Sequence, residues 1–170
     1  MLKRVADDTD ETDHDHGWSV YRLRQLMENS NTNLRVAEQG GMGRGCQFTR
    51  DFEPEESVAI YPGIWSSSEV KNGFAIKLER HCWLDAKPFS DQERKDFCAS
   101  TCINHRCKNA NLRFQKTMIA GHLFVIVIAK RRCATNEWAS LDYGPQFFAD
   151  AELECECDDC AMGDGESDEF

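Results

Sequence analysis

Four stretches of this 170-residue chain carry side chains whose types and spacing could do chemistry. Asn104-His105-Arg106-Cys107 places an amide, an imidazole, a guanidinium and a thiol on consecutive residues. Cys155-Glu156-Cys157-Asp158-Asp159-Cys160 offers three thiols in a Cys-x-Cys-x-x-Cys spacing. Gly43-Arg44-Gly45 would let backbone groups approach a ligand closely, although a glycine pair serves any tight turn equally well. Asp142-Tyr143-Gly144 sets a phenol at a turn, where it is either a functional hydroxyl or a strand-end aromatic. No Ser-His or Cys-His nucleophilic pair is recognisable.

The cysteine cluster points to a metal. Structural zinc takes four ligands in a tetrahedron, so Cys155, Cys157 and Cys160 need a fourth partner from elsewhere in the chain. Cys107 is the candidate, and closing that site would tie the C-terminal segment across the middle of the chain. Metal binding would then be folding energy for the tail. The alternative is three exposed free thiols, a reactive arrangement that clustering argues against. Cys46, Cys82, Cys98, Cys102 and Cys133 lie among apolar or strand residues and read as buried thiols.

The formal net charge of −10 is unevenly spread. Residues 1–16 and 150–170 together hold 16 acids and 2 bases, whereas residues 17–149 hold 14 acids and 18 bases. This disfavours nucleic acid as a direct ligand and favours encounter with a basic partner such as a lysine-rich peptide. The longest apolar run, Leu123 to Ala129, is strand-sized and far short of the roughly 20 residues of a membrane helix. Lys3 and Arg4 are followed by acids and not by an apolar signal region, so an intracellular, reducing setting is expected.

The elements that must position these groups are short. Residues 1–16 read as a disordered acidic leader, and Trp18 to Glu28 as a helix burying Trp18, Tyr21, Leu26 and Met27. Asn29 to Asn33 reads as a polar loop. Strands are expected at Leu34–Val36, Cys46–Arg50, Ser57–Tyr61, Phe74–Glu79, Asn111–Ile119 and His122–Ala129. Ser66 to Val70 suggests a helical turn, Asn72-Gly73 a hairpin, and Ser90 with Glu93 a capping box for a helix toward Cys102. A mainly β, β-rich α+β fold follows.

Taken in order, the motifs resemble those of SET-domain protein lysine methyltransferases. They are Gly43-Arg44-Gly45, Tyr61-Pro62-Gly63, Trp83-Leu84-Asp85-Ala86, Ile103-Asn104-His105-Arg106-Cys107, Glu137 to Tyr143, and Cys155 to Cys160. Phe147-Phe148 followed by Cys155-x-Cys157-x-x-Cys160 is similar to the post-SET tail of the branch acting on lysine twenty of histone H-four. The resemblance implies a SET domain at 34–149 with a helical flank at 17–33, a zinc-binding post-SET segment at 150–163 and an acidic tail at 164–170. It implies several short sheets, few short helices and a knot-like C-terminal threading. The implied activity is S-adenosylmethionine-dependent methylation of a lysine, with a histone tail or other basic peptide as substrate, in the nucleus or otherwise the cytoplasm, by a monomer.

By the same resemblance Tyr143 is the catalytic tyrosine and Tyr61 lines the lysine channel. Gly43, Arg44, Gly45, Asn104, His105 and Tyr143 bind the cofactor, and Cys107, Cys155, Cys157 and Cys160 bind zinc. Leu141 stands where an aromatic can limit the methyl count, which implies room for di- or trimethylation. The chain departs from the pattern at Arg106, where the family has serine, and at Cys107-Lys108-Asn109-Ala110-Asn111, one residue longer than Cys-x-Pro-Asn. Thr101-Cys102 replaces an Arg-Phe pair, and Asn136 stands for a glycine, which asparagine can mimic in a left-handed turn. The rival function is a catalytically inactive SET module that binds a basic peptide or protein partner.

Overall fold

The computed structural model describes residues 20–79, 82–90, 92–93, 99–151, 154–155 and 157–161. The acidic leader, Trp18, Cys98, most of the expected helix after Ser90 and the tail 164–170 lie outside these residues. Helix α1 (Val20–Asn33) leads into the hairpin β1 (Leu34–Glu38) and β2 (Arg44–Phe48). The central sheet contains β3 (Ser57–Ile60), β7 (Asn104–His105), β8 (Leu112–Ile119), β9 (His122–Ala129) and β10 (Ser140–Leu141). Its order is β3-β9-β8-β10-β7. A second sheet, ordered β4-β6-β5, joins β4 (Ile64–Ser66), β6 (Cys82–Asp85) and β5 (Ala75–Glu79). Helices α2 (Pro145–Ala151) and α3 (Asp158–Ala161) follow.

The pairing pattern explains the apolar run at 123–129. Val125, Val127 and Ala129 face a core with Leu34, Phe48, Phe52, Val58 and Leu112, while Ile126 and Ile128 face Leu23 and Leu26 of α1. A strand covered on both faces has no reason to alternate. Its partner β8 joins it through Ala120 and Gly121, both at positive φ (49° and 75°), as a tight two-residue hairpin requires.

Three local expectations are corrected. First, α1 continues through Asn29 to Asn33, where a polar loop was expected. Tertiary partners absorb the polar groups: the Ser30 hydroxyl donates to the Leu26 carbonyl (2.6 Å) and accepts from the Ile60 N–H (3.1 Å). The Asn33 amide donates to the Val58 carbonyl at 2.7 Å. The buried face is therefore Leu23, Leu26, Ser30 and Asn33, and Tyr21 and Met27 are exposed. Second, no helical turn follows Ser66, which closes β4 and bonds locally to Ser68. Third, Asn72-Gly73 does not join paired strands, since β4 and β5 both pair with β6. Instead the Asn72 side chain accepts from the Phe74 N–H (2.8 Å) and donates to Asp85 (3.1 Å), an Asx turn that starts β5. The capping box is present: Ser90 N–H donates to the Glu93 carboxylate (2.7 Å) and Glu93 N–H to the Ser90 hydroxyl (3.2 Å).

Candidate active site and thiol cluster

The Asn104-to-Cys107 stretch is fixed by parallel pairing. Ser140 pairs with Asn104 and Leu141 with His105, and β10 runs parallel to β8 on its other side. The Arg106 N–H donates to the Leu141 carbonyl at 2.9 Å, extending the ladder. Asn104 projects its amide to Gln39 Oε1 at 2.9 Å. Beneath this bond lies Gly45, where an added Cβ would fall 2.2 Å from Gln39 Oε1 and 3.0 Å from Asn104 Nδ2. Of the expected glycine loop, then, Gly45 abuts Asn104. Gly43 holds a left-handed turn (φ 74°) with nothing near its Cβ position, and Arg44 pairs with Glu38 in the hairpin. A hollow of about 30 Å³ opens beside Asn104, His105 and Arg106, with Gln39, Met42 and Trp138 on its walls.

Tyr143 follows β10 and is held at both ends. Its hydroxyl donates to the Ile103 carbonyl at 2.5 Å and its N–H to His105 Nδ1 at 3.0 Å. Burial, with the Cys46 and Cys102 thiols nearby, pushes the phenol far above its ordinary range, so it stays protonated. The ring borders a cavity of about 60 Å³ whose other walls include Tyr61, Phe74, Phe114, Leu141 and Phe147. The Tyr61 hydroxyl donates to the Phe74 carbonyl (3.0 Å), and its ring meets Phe114 edge-on at 5.3 Å. The cavity shares Ala75, Phe114, Tyr143 and Phe147 with a larger groove of about 520 Å³ that runs past Lys71, Lys77 and Trp83. Gly63, after Tyr61, is required by packing: a Cβ there would stand 2.6 Å from Leu84 and 3.1 Å from the Asp85 backbone nitrogen.

The structure brings Cys107 and the C-terminal cysteines together. Cys107 Sγ lies 3.5 Å from Cys155 Sγ and 3.4 Å from Cys160 Sγ. Cys157 belongs to the same cluster, with the donor atoms of His105, Cys107, Cys155 and Cys157 all within 4.8 Å of one another. Sulfurs sharing one tetrahedral zinc stand about 3.8 Å apart, from a Zn–S distance of about 2.3 Å. The cluster of cysteines and histidine could therefore hold zinc. Burial alone would raise the Cys157 thiol, but the Cys107 backbone N–H, the Cys155 thiol and the backbone N–H groups of Cys160 and Asp159 outweigh it and hold it at about 7. Asp159 fastens the cluster to the chain's middle: its carboxylate accepts from the Lys108 N–H (2.7 Å) and from Arg106 Nε (3.3 Å). His105 Nε2 lies 3.0 Å from Cys107 Sγ. Burial lowers the imidazole below its ordinary value against the opposing pull of Asp142 and Asp159, so it is neutral near pH 7.

Cys46 and Cys133 are fully buried as expected, and Cys82 and Cys102 partly so. The sequence departures are absorbed locally. Asn109, in the loop after Cys107, takes a left-handed conformation (φ 57°), and Asn136 does the same (φ 65°), as asparagine can. Arg106 pairs with Asp159, Nε to Oδ1 at 3.3 Å. Sequence reasoning missed Gln39, Asp159 and the cavity walls Phe74 and Phe114. It also missed the work of Asn111, which is 1% exposed. The Asn111 amide donates to the Glu137 carboxylate (2.9 Å) and the Trp138 carbonyl (2.8 Å), and its oxygen accepts from the Ser140 N–H (2.8 Å). Asparagine before a strand was the available signal, but its partners lie 26 to 29 residues away.

No protein-family model matches the chain. The chain is similar to a histone-lysine N-methyltransferase of Candida glabrata, named as specific for H3 lysine-36, at 25% identity over 143 residues. The similarity covers 80% of this chain and 20% of that relative, so the chain spans about one fifth of the relative's length. The architecture, several small sheets with few short helices, agrees with the SET fold.

Proposed function

We propose that this chain transfers a methyl group from S-adenosylmethionine to the side-chain amine of a protein lysine. The observation that carries this reading is the place of Tyr143. It borders a narrow aromatic cavity that shares wall residues with the larger groove, and it is bonded both to Ile103, another wall of that cavity, and to His105, which borders the second hollow. One residue thus joins the wall of an aromatic cavity, through His105, to the wall of a polar hollow. The distant similarity to a histone-lysine methyltransferase supports the same reading.

A lysine amine with a pKa near 10.4 is only about one part in a thousand neutral at pH 7.4. The Tyr61, Phe74, Phe114 and Phe147 walls disfavour the ammonium form by withholding water. The Tyr143 hydroxyl, fixed on the Ile103 carbonyl, and the polar groups of Ser100 and Thr101 orient the amine. Gly45, Asn104 and His105 would hold the cofactor, with Gly43 in the turn before β2 and Arg44 at the strand's first position. Their chemistry fits it: the Asn104 amide, a Gly45 backbone that no Cβ shields and His105 on the wall of the hollow, with the Gln39 side chain occupying the cradle that a ligand would take. When bound, the cofactor would supply an electrophilic methyl on a sulfonium sulfur, passed to the neutral amine as the carbon–sulfur bond breaks, with a neutral thioether as leaving group and one proton lost to solvent. Among the chain's own groups, the reaction needs alignment and exclusion of water and no nucleophile.

Cys107, Cys155, Cys157 and Cys160 would hold the zinc of a post-SET segment at 150–163, following a catalytic domain at 34–149. The substrate we infer is a histone tail, from the name of the relative and from the charge of −10, which favours a basic peptide; a nuclear setting goes with it. Labelled S-adenosylmethionine, zinc-loaded chain and either core histones or nucleosomes test the reading. Transfer to lysine that falls about a hundredfold or more in Tyr143→Phe is expected. Peptide binding without any transfer by folded, zinc-loaded protein would leave an inactive binding module instead.

A further inference from the structure

Both nitrogens of the His105 ring are committed. The Tyr143 N–H donates to Nδ1 at 3.0 Å, so Nδ1 must present a lone pair. A neutral imidazole with an accepting Nδ1 carries its proton on Nε2. That nitrogen points at Cys107 Sγ, 3.0 Å away. The cluster also offers five donors for four positions: His105 and the four thiols. The ring is wedged against Phe148 (4.8 Å between centroids) and Tyr143 (5.1 Å), which limits its rotation to another tautomeric use.

We propose that His105 is the link between the metal centre and Tyr143: Nε2–H donates to the Cys107 thiolate while Nδ1 holds the Tyr143 backbone. It is an outer partner of the metal and a positioning residue for the tyrosine, not the fourth ligand. Histidines that ligate zinc spend a nitrogen on the ion and give the other N–H to a carboxylate or carbonyl. Here the order is reversed: the thiolate is the ligand, and the imidazole passes its orientation two residues beyond the strand, to the tyrosine that borders the aromatic cavity. What His105 does for Tyr143 in turnover rests on the methyl-transfer reading. The thiolate–imidazole–backbone link does not.

The test uses the full chain, with nitrogen-15 in its histidines and cadmium-113 in place of zinc. One histidine should show a retained Nε2 proton with scalar coupling to cadmium through the Cys107 sulfur, and an unprotonated Nδ1. Direct nitrogen–cadmium coupling without that proton makes His105 a ligand and overturns the proposal. Absence of any coupling overturns it too, and a chain that takes up no cadmium removes the metal centre and the link together. His105→Phe, which keeps the ring volume, should still bind one zinc but release it to a chromophoric chelator about tenfold faster or more. Its kcat should fall while KM for the peptide holds. Unchanged release overturns the link. If the variant fails to fold, the measurement on the native chain decides alone. Coupling in a chain that transfers no methyl would sink the proposed function and leave the link standing.

Discussion

Asn111 shows how one buried amide can order a site it never touches. It sits at the start of β8, where its side chain bonds to Glu137, to the Trp138 carbonyl and to the Ser140 N–H. Those bonds set the height of β10, and β10 sets both His105, by pairing, and Tyr143, two residues on. Replacing Asn111 with alanine leaves at least one buried backbone donor and one carbonyl unpaired. Each such group costs about 1–3 kcal/mol, so we expect a loss on the order of 3 kcal/mol in urea unfolding. A loss below about 1 kcal/mol would mean that water replaces the amide. Nothing at this scale required Asn111 to be recognised by periodicity, because a single polar residue before a strand carries no pattern.

At the scale of elements, the decisive contact is between the 155–160 segment and the loop after β7. Two devices hold it. One is the thiol cluster. The other is Asp159, whose carboxylate accepts from the Lys108 N–H and from Arg106. The Arg106 side chain is 40% exposed and its pair with Asp159 contributes about 0–1 kcal/mol, whereas Asp159 itself is only 10% exposed and bonds to backbone as well. We therefore expect Arg106→Ser to leave the tail docked while zinc is present. Asp159→Ala should speed zinc loss to a chelator several-fold. Chelation of wild-type chain should expose the 155–160 segment to protease before the central sheet, because β8 and β9 are covered by α1 and the main core independently of the tail. Simultaneous cleavage in the β8–β9 hairpin would contradict that order. The capping box at Ser90 and the alternation of Phe74, Ile76 and Leu78 were legible in sequence, since both depend on neighbours within a few residues. The extent of α1 was not, because its polar last turn is satisfied by Val58 and Ile60 of a strand far along the chain.

For the whole molecule, charge links stability to pH through particular pairs. Burial alone would raise the Glu137 carboxyl. Arg131 (2.7 Å), the Ala134 N–H (3.0 Å) and the Asn111 amide outweigh it and hold the carboxyl below its ordinary value. A carboxyl depressed in the folded state contributes stability that is present above the unfolded pKa of about 4.3 and is lost as pH falls through the lower folded value. Tm of the wild type should therefore drop in that acid window more steeply than Tm of Glu137→Gln, which starts lower and changes less. Parallel curves for the two proteins would show that Glu137 is not a coupled group. Near neutral pH the same comparison should show little pH dependence from this residue.

The sequence by itself determined the kind of fold and the inventory of reactive groups. Short strands with turn residues between them predict a β-rich chain, and Cys-x-Cys-x-x-Cys predicts three clustered thiols in want of a fourth partner, because residue type and local spacing settle both. It also supplied the resemblance through which Tyr143, Tyr61, Asn104 and His105 could be chosen. Only the tertiary structure decided which groups meet. Parallel pairing of β10 with β7 put His105 against Tyr143, residues 38 positions apart, and Asp159 and the thiols closed over a loop 53 positions upstream. The physical reason is that hydrogen-bond partners and metal donors are selected by distance in space, and a strand register or a docked tail fixes that distance without leaving a local mark.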